Sequence, residues 1–187
     1  MQNMCGRFYV EDDEALEERI RRLNRDAVLK KGDIKPGQTA LTLLRKDAIQ
    51  AEDLLWGFAG MDKKRIINAR SETANVKPMF RELMRSCRLL IPAHGYYEWD
   101  SSGAKHRLGA GGRLYLAGLY RPDERTFTIL TREAAPSISH IHPRMPVLFR
   151  ALAARAWLEA DSDPGRVLAD CETTSVMPAD VQMRLEL

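Results

Sequence analysis

Cysteine is scarce in this sequence. The three present, Cys5, Cys87 and Cys171, are too few and too scattered to frame a disulfide-stapled fold. No Cys-x-x-Cys pair occurs, so the usual zinc-ribbon and zinc-finger spacings are excluded, and neither a metal nor a cofactor is expected. Thiols used in this way fit a reducing compartment, and the expected location is cytoplasmic. Long hydrophobic runs are also missing: none approaches the roughly 20 residues a membrane span requires. Acidic residues arrive by Glu11, too early for a signal-peptide core, so no membrane partner is expected. There is no internal repeat and no low-complexity linker, which leaves one domain over residues 1–187 as the expectation. Nor does one sign of charge dominate, since 29 Lys and Arg face 26 Asp and Glu for a net +3. That balance is compatible with nucleic acid and does not by itself argue for it.

What is present suffices for a full core, with 44% hydrophobic residues in 187. Arg7 to Val10 read as a strand entry. In Glu11–Asp26 the residues Leu16, Ile20 and Leu23 share one helical face, with acids early and arginines late, as a helix dipole prefers. "KKGDIKPGQ" reads as loop, "TALTLLRK" and "AIQAEDLLWGF" as strands, and "KRIINARSETANV" as a strand that loses its periodicity at Asn68. Lys77–Cys87 has helical spacing with Pro78 in the first turn. "RLLIPAHGYYEWD" predicts a strand broken at Pro92 and resumed at Tyr96–Trp99, and "SSGAKHRLGAGGR" a flexible, hairpin-like loop. "LYLAGLY" and "TFTILTR" are the cleanest strands; "ISHIHPRMPVLF" is irregular, "ALAARAWLEA" helical and the tail weakly extended. Many short strands with a few outer helices imply an α+β fold with a mostly antiparallel, barrel-like β-sheet core.

Four stretches combine polar residues with turn or strand context: "MCGRF", "INARSET", "PAHGYYEW" and "HPRMP". Singly, each has an ordinary structural reading, such as a small buried cysteine, a solvent-facing strand glutamate or a loop histidine. Their occurrence together and in this order resembles the SOS-response-associated peptidase (SRAP) family, the abasic-site-processing proteins. The similarity runs from Met4 to about Trp157. It includes Trp56-Gly57, Lys77-Pro78, Phe80, Ala117-Gly118-Leu119-Tyr120 and Thr126–Thr131.

The resemblance implies an SRAP-like fold and a protein that covalently traps abasic sites in single-stranded DNA. Self-processing and possible lyase activity come with it, as does nucleoid association when bound; a monomer is expected. The chemistry of the residues agrees. An abasic deoxyribose exists partly as a ring-opened aldehyde, which amines attack. A cysteine at a chain's first position carries a free α-amine and a thiol on adjacent carbons. The amine forms a Schiff base, the thiol then adds to it, and a five-membered thiazolidine results. An internal cysteine cannot do this, because its nitrogen is tied up in an amide, whereas an α-amine with an ordinary pKa of about 7.7–8.0 is partly neutral at cellular pH. Residues 1–4 are therefore expected to be absent from the active form, through use of Met4 as start or through trimming.

By the resemblance, Cys5 is the nucleophile, Glu98 shuttles protons, His142 donates to the sugar ring oxygen, and Asn68 positions the cysteine or sugar. Glu98, between Tyr97 and Trp99, is expected to be half-desolvated. Arg7, Arg70 and Arg144 are candidates to grip phosphates. Trp56 and Trp99 are candidates to stack on bases, with a core tryptophan as the other reading of Trp56. "WGFAGMD" departs from the family's usual segment after Trp-Gly, and His94 stands where the family usually has Asp, read here as tuning or packing. Cys87 and Cys171 read as small packing residues, and His140-x-His142 lacks a third ligand at suitable spacing. Two other classes remain: a thiol hydrolase using Cys5 and His142, and a non-catalytic single-strand binder. Intact-mass analysis checks the processing expectation. Chains beginning at Cys5 are expected to crosslink abasic DNA, and a crosslinking chain that retains residues 1–4 would refute it.

Overall fold

The computed structural model describes residues 5–61, 64–169 and the short strand at 177–178. The expected processing at Met1–Met4, and the packing expected of Cys171, lie outside the described residues. The chain enters on β1 (Phe8–Val10) and continues through α1 (Glu14–Leu23), β2 (Gly32–Ile34), β3 (Thr39–Arg45) and β4 (Ile49–Trp56). Short strands β5 (Phe58–Ala59), β6 (Arg65–Ile66) and β7 (Asn68–Arg70) lead into α2 (Ser71–Ala74) and α3 (Pro78–Ser86). Three long strands follow: β8 (Arg88–Trp99), β9 (Lys105–Arg121) and β10 (Thr126–Glu133). The remainder is β11 (Arg144–Pro146), β12 (Leu148–Phe149), α4 (Ala151–Leu158), α5 (Pro164–Ala169) and β13 (Met177–Pro178).

The main sheet runs β12-β9-β10-β4-β3-β8-β1-β2, and β9 also pairs with β8. That second pairing closes β8, β3, β4, β10 and β9 into a ring, which removes their free edges. Pairing is antiparallel throughout except where β10 meets β4 and β7. This is the α+β, barrel-like core that the run of short strands implied. A column of aromatics fills it, with Trp56 stacked on Phe127 at 6.1 Å and tilted against Phe8 at 5.3 Å. Among the described residues no helix is long and apolar enough to cross a membrane.

Helix α1 lies within the expected Glu11–Asp26 segment but is shorter, because Asp13 caps it and sets its start at Glu14. The Asp13 carboxylate accepts the Leu16 N–H at 2.9 Å, acids occupy the first turn, and Arg21 and Arg22 the last. Leu16 and Ile20 are buried, while Leu23 stays partly exposed at the helix end.

Four segments differ from the sequence reading, each because a partner strand decides. Gly32–Ile34 is a strand rather than loop, since it pairs with Val10–Phe8. Pro92 does not break β8. It falls between the stretch paired with β3 (Leu89, Leu90) and the stretch paired with β1 (Gly95, Tyr96), where that edge carries no ladder for a missing N–H to disrupt. "HRLGAGGR" is not a hairpin but part of β9. Gly111 and Gly112 take φ of 64° and 125° and absorb the register shift opposite Ala93 and Gly95. The reversal itself is confined to the turn before Lys105, where Gly103 N–H bonds the Asp100 carbonyl. "ISHIHPRMPVLF" contains β11 and β12, paired to β10 and β9.

Gly95 marks the tightest approach. A Cβ there would lie 2.2 Å from the Leu108 carbonyl oxygen and 2.3 Å from the Tyr9 hydroxyl. Because one obstacle is backbone of a paired strand, Gly95→Ala is expected to cost about 3 kcal/mol, read as a lowered denaturation midpoint.

Candidate active site

Alternation along β8 separates its two faces. Tyr96 and Glu98 point inward, at 0% and 2% exposure, while Tyr97 and Trp99 are half-buried on the opposite face. Glu98 is thus more deeply buried than expected, and not by its sequence neighbours: its own face of the strand does it. The partner strand supplies the rest. Phe8 pairs with Tyr96, and the Arg7 carbonyl accepts the Tyr97 N–H at 2.8 Å. Following the chain back from there brings the Cys5 nitrogen to the carboxylate, where it donates to Glu98 Oε1 at 2.6 Å. Cys5 is 1% exposed. Its φ of 38° lies in the left-handed region that favours glycine, a strain of about 1–3 kcal/mol that the surrounding contacts must hold.

Burial dominates the electrostatics. It pushes the Glu98 carboxyl above its usual range, partly offset by the Cys5 N–H, the charge of His142 and the Trp99 N–H. Burial, reinforced by Glu98, also raises the Cys5 thiol well above its ordinary value. A carboxyl of raised affinity for protons, in contact with the cysteine nitrogen, is a competent proton acceptor and donor at that atom.

The other candidate residues distribute unevenly. His142 is half-buried and within electrostatic range of Glu98. Its Nδ1 lies 3.1 Å from both the backbone nitrogen and the carbonyl oxygen of Arg144, so the backbone of that residue holds the ring. Asn68 opens β7 beside Ile129 and lines a cavity of about 550 Å³ with Arg70, Lys77, Met79, Phe80 and Thr131. Arg70 is exposed there. Arg7 reaches Asp33 at 3.3 Å, and its guanidinium carbon sits 5.7 Å from the centre of the Trp99 ring, covering one face of it.

Two expectations about DNA contact need correction. Trp56 cannot stack on a base. It is 0% exposed, its Nε1–H donates to the Ile67 carbonyl at 3.0 Å, and both of its neighbours are core aromatics. Arg144 is not a free phosphate clamp either. Both of its terminal nitrogens bond the Glu72 carboxylate, and one also donates to the Thr131 carbonyl at 2.8 Å. That ion pair holds the Glu72 carboxyl below its usual range. His94 is a packing residue: its Nδ1 accepts the Glu11 N–H at 3.0 Å, and Nε2 lies 3.4 Å from Asp13. Sequence reading overlooked Tyr96, Lys77 and Met79. Only Tyr96 had a usable signal, its two-residue spacing from Glu98.

The raised Glu98 carboxyl makes a pH-dependent prediction. The folded state holds this proton more tightly than the unfolded state, so stability is greatest in acid and falls as pH rises through the ordinary carboxylate range towards the raised value. Glu98→Gln does not titrate. It is expected to be more stable than the parent at neutral pH, with the difference shrinking in acid, as read from denaturation midpoints across a pH series.

Comparison with known proteins identifies the family and the fold. The family model described as "SOS response associated peptidase (SRAP)" matches residues 4–184. The abasic site processing protein YoqW of Bacillus subtilis (strain 168) is 32% identical, over 86% of this chain and 83% of its own length. The abasic site processing protein YedK of Escherichia coli (strain K12) is 29% identical, over 79% of this chain and 72% of its own. Among solved structures, a phage-related protein of Bordetella bronchiseptica superposes with a TM-score of 0.71 at 28% identity, covering 93% of each chain. A Bacteroides thetaiotaomicron protein, at 18% identity and the same TM-score of 0.71, shares the fold. With a family match that spans nearly its whole length, the chain belongs to the SOS response associated peptidase (SRAP) family.

Proposed function

We propose that this protein processes abasic sites in single-stranded DNA by joining them covalently to Cys5 through a thiazolidine. The 2.6 Å contact between the Cys5 nitrogen and Glu98 carries the reading, because it sets a proton acceptor on the atom that must attack the aldehyde. With residues 1–4 removed, that nitrogen is an α-amine. Glu98 takes a proton from it as it adds to the sugar C1′, and returns a proton to the departing hydroxyl, which leaves as water. The imine then accepts the Cys5 sulfur, closing the ring. His142, near Glu98, supplies the proton that opens the sugar. The imine also acidifies the neighbouring sugar carbon, which accounts for a lyase side reaction. A protonated Glu98 would equally serve the nitrogen released when the bond before Cys5 is cut, which supports self-processing.

The environment of the Cys5 thiol favours this reading over a thiol hydrolase. Such enzymes depress the thiol pKa, whereas burial and Glu98 raise that of Cys5. The DNA path follows the cavity at Asn68, where Arg70 and Lys77 offer charge to phosphates and Met79, 44% exposed, offers an apolar surface. The relatives' names, abasic site processing protein, support the same substrate.

Incubating processed protein with an abasic oligonucleotide tests the proposal. A heat-stable shifted band is expected, abolished by N-terminal acetylation, and slowed about a hundredfold or more by Glu98→Gln. Cys5→Ser keeps the amine without the thiol and is expected to give only an imine, trapped by borohydride but lost on heating. A heat-stable adduct from acetylated protein would overturn the reading.

A further inference from the structure

The chemistry described so far leaves one buried polar group at the site without a task. Tyr96 is 0% exposed, and its hydroxyl has no hydrogen-bond partner among the described residues. Burying an unpaired hydroxyl is costly, and phenylalanine would fill the same space without that cost. Its position is not remote. It shares the inward face of β8 with Glu98, two residues away, pairs in register with Phe8, and lies within electrostatic range of both Cys5 and Glu98.

Glu98 already receives the Cys5 N–H. The sulfur is in greater need of a donor, because it is buried beside a carboxylate and must lose its proton before it can add to the imine. We propose that the Tyr96 hydroxyl is a further functional group of this site, donating its hydrogen bond to the Cys5 sulfur as that sulfur ionises for ring closure. The inference rests on the thiazolidine reading. In the step concerned, the thiol proton passes to Glu98 or solvent, the sulfur pair forms the C–S bond, and the imine π pair returns to nitrogen, which takes a proton from Glu98 or solvent to become the ring amine. Tyr96 forms and breaks no covalent bond. Burial above all, then the charges of Cys5 and Glu98, push its phenol well above the ordinary range, so it remains a donor at cellular pH. The predicted consequence is a split: Tyr96 matters for sulfur addition and not for the amine's first attack.

Tyr96→Phe in processed protein tests this. Thiolate ultraviolet absorbance followed against pH, with each protein referenced to its Cys5→Ala counterpart, gives the Cys5 midpoint without any DNA. The midpoint is expected to rise by about one pH unit, the scale of a hydrogen bond to a charged group. With abasic DNA, borohydride-trapped imine is expected to form at the parental rate, heat-stable adduct about tenfold more slowly, and thermal stability is expected to be unchanged or raised. An unchanged thiol midpoint overturns the proposal whatever the adduct does. So does a parallel loss of imine, adduct and thermal stability, which would make Tyr96 a packing residue. The absorbance reading fails or succeeds independently of whether the protein crosslinks DNA at all.

Discussion

The hydrogen bond from the Cys5 nitrogen to Glu98 joins the beginning of the described chain to the far end of β8, 93 residues away. Most of the local architecture serves to make it possible. β8 must run on past its pairing with β3 so that its last residues can accept β1 as a neighbour. The shift opposite Ala93 and Gly95 lets β9 continue alongside it. The exit of β1 is held in turn: His94 takes the Glu11 N–H, and Asp13 caps α1 while its carboxylate is clamped by Arg113. Clamping by Arg113 keeps the Asp13 carboxyl below its usual range, which favours the charged form of the cap.

One strand carries two kinds of buried polar group, and they are treated oppositely. At its start, the Arg88 guanidinium is 6% exposed and donates to the carbonyls of Met84, Trp157 and Glu159, so it satisfies the C-terminal ends of α3 and α4 at once. Everything there is paired. At the far end, Glu98 is buried with a raised carboxyl, Cys5 is held in a left-handed conformation, and the Tyr96 hydroxyl has no hydrogen-bond partner among the described residues. Strain and underpairing gather around Cys5, which accords with the proposal that the chemistry occurs at this end of β8.

Legibility in the sequence followed the range of the interactions involved. Helix α1 was readable because its period and its charge gradient are local. The second half of β9, "LYLAGLY", and β10 were readable from unbroken apolar runs. Pro92 and the glycines at 111 and 112 misled because proline and glycine are punctuation only where the chain lacks neighbours; inside a closed sheet one falls in a gap between partners and the others form a bulge. Cys5, Glu98 and His142 were legible as residue types in ordered motifs. The depth of Glu98 was not, since Tyr97 and Trp99 flank it in sequence but lie on the other face of the strand.

The sequence by itself determined the fold class, the four polar motifs and the identity of a cysteine whose neighbouring amine could do imine chemistry, because these depend on composition, period and covalent structure. Only the tertiary structure decided that Trp56 belongs to the core, that Arg144 is committed to Glu72, and that the Tyr96 hydroxyl shares the site with Cys5 and Glu98. The physical reason is that exposure, pairing and desolvation are properties of what a side chain meets across the sheet, and those neighbours are tens of residues away along the chain.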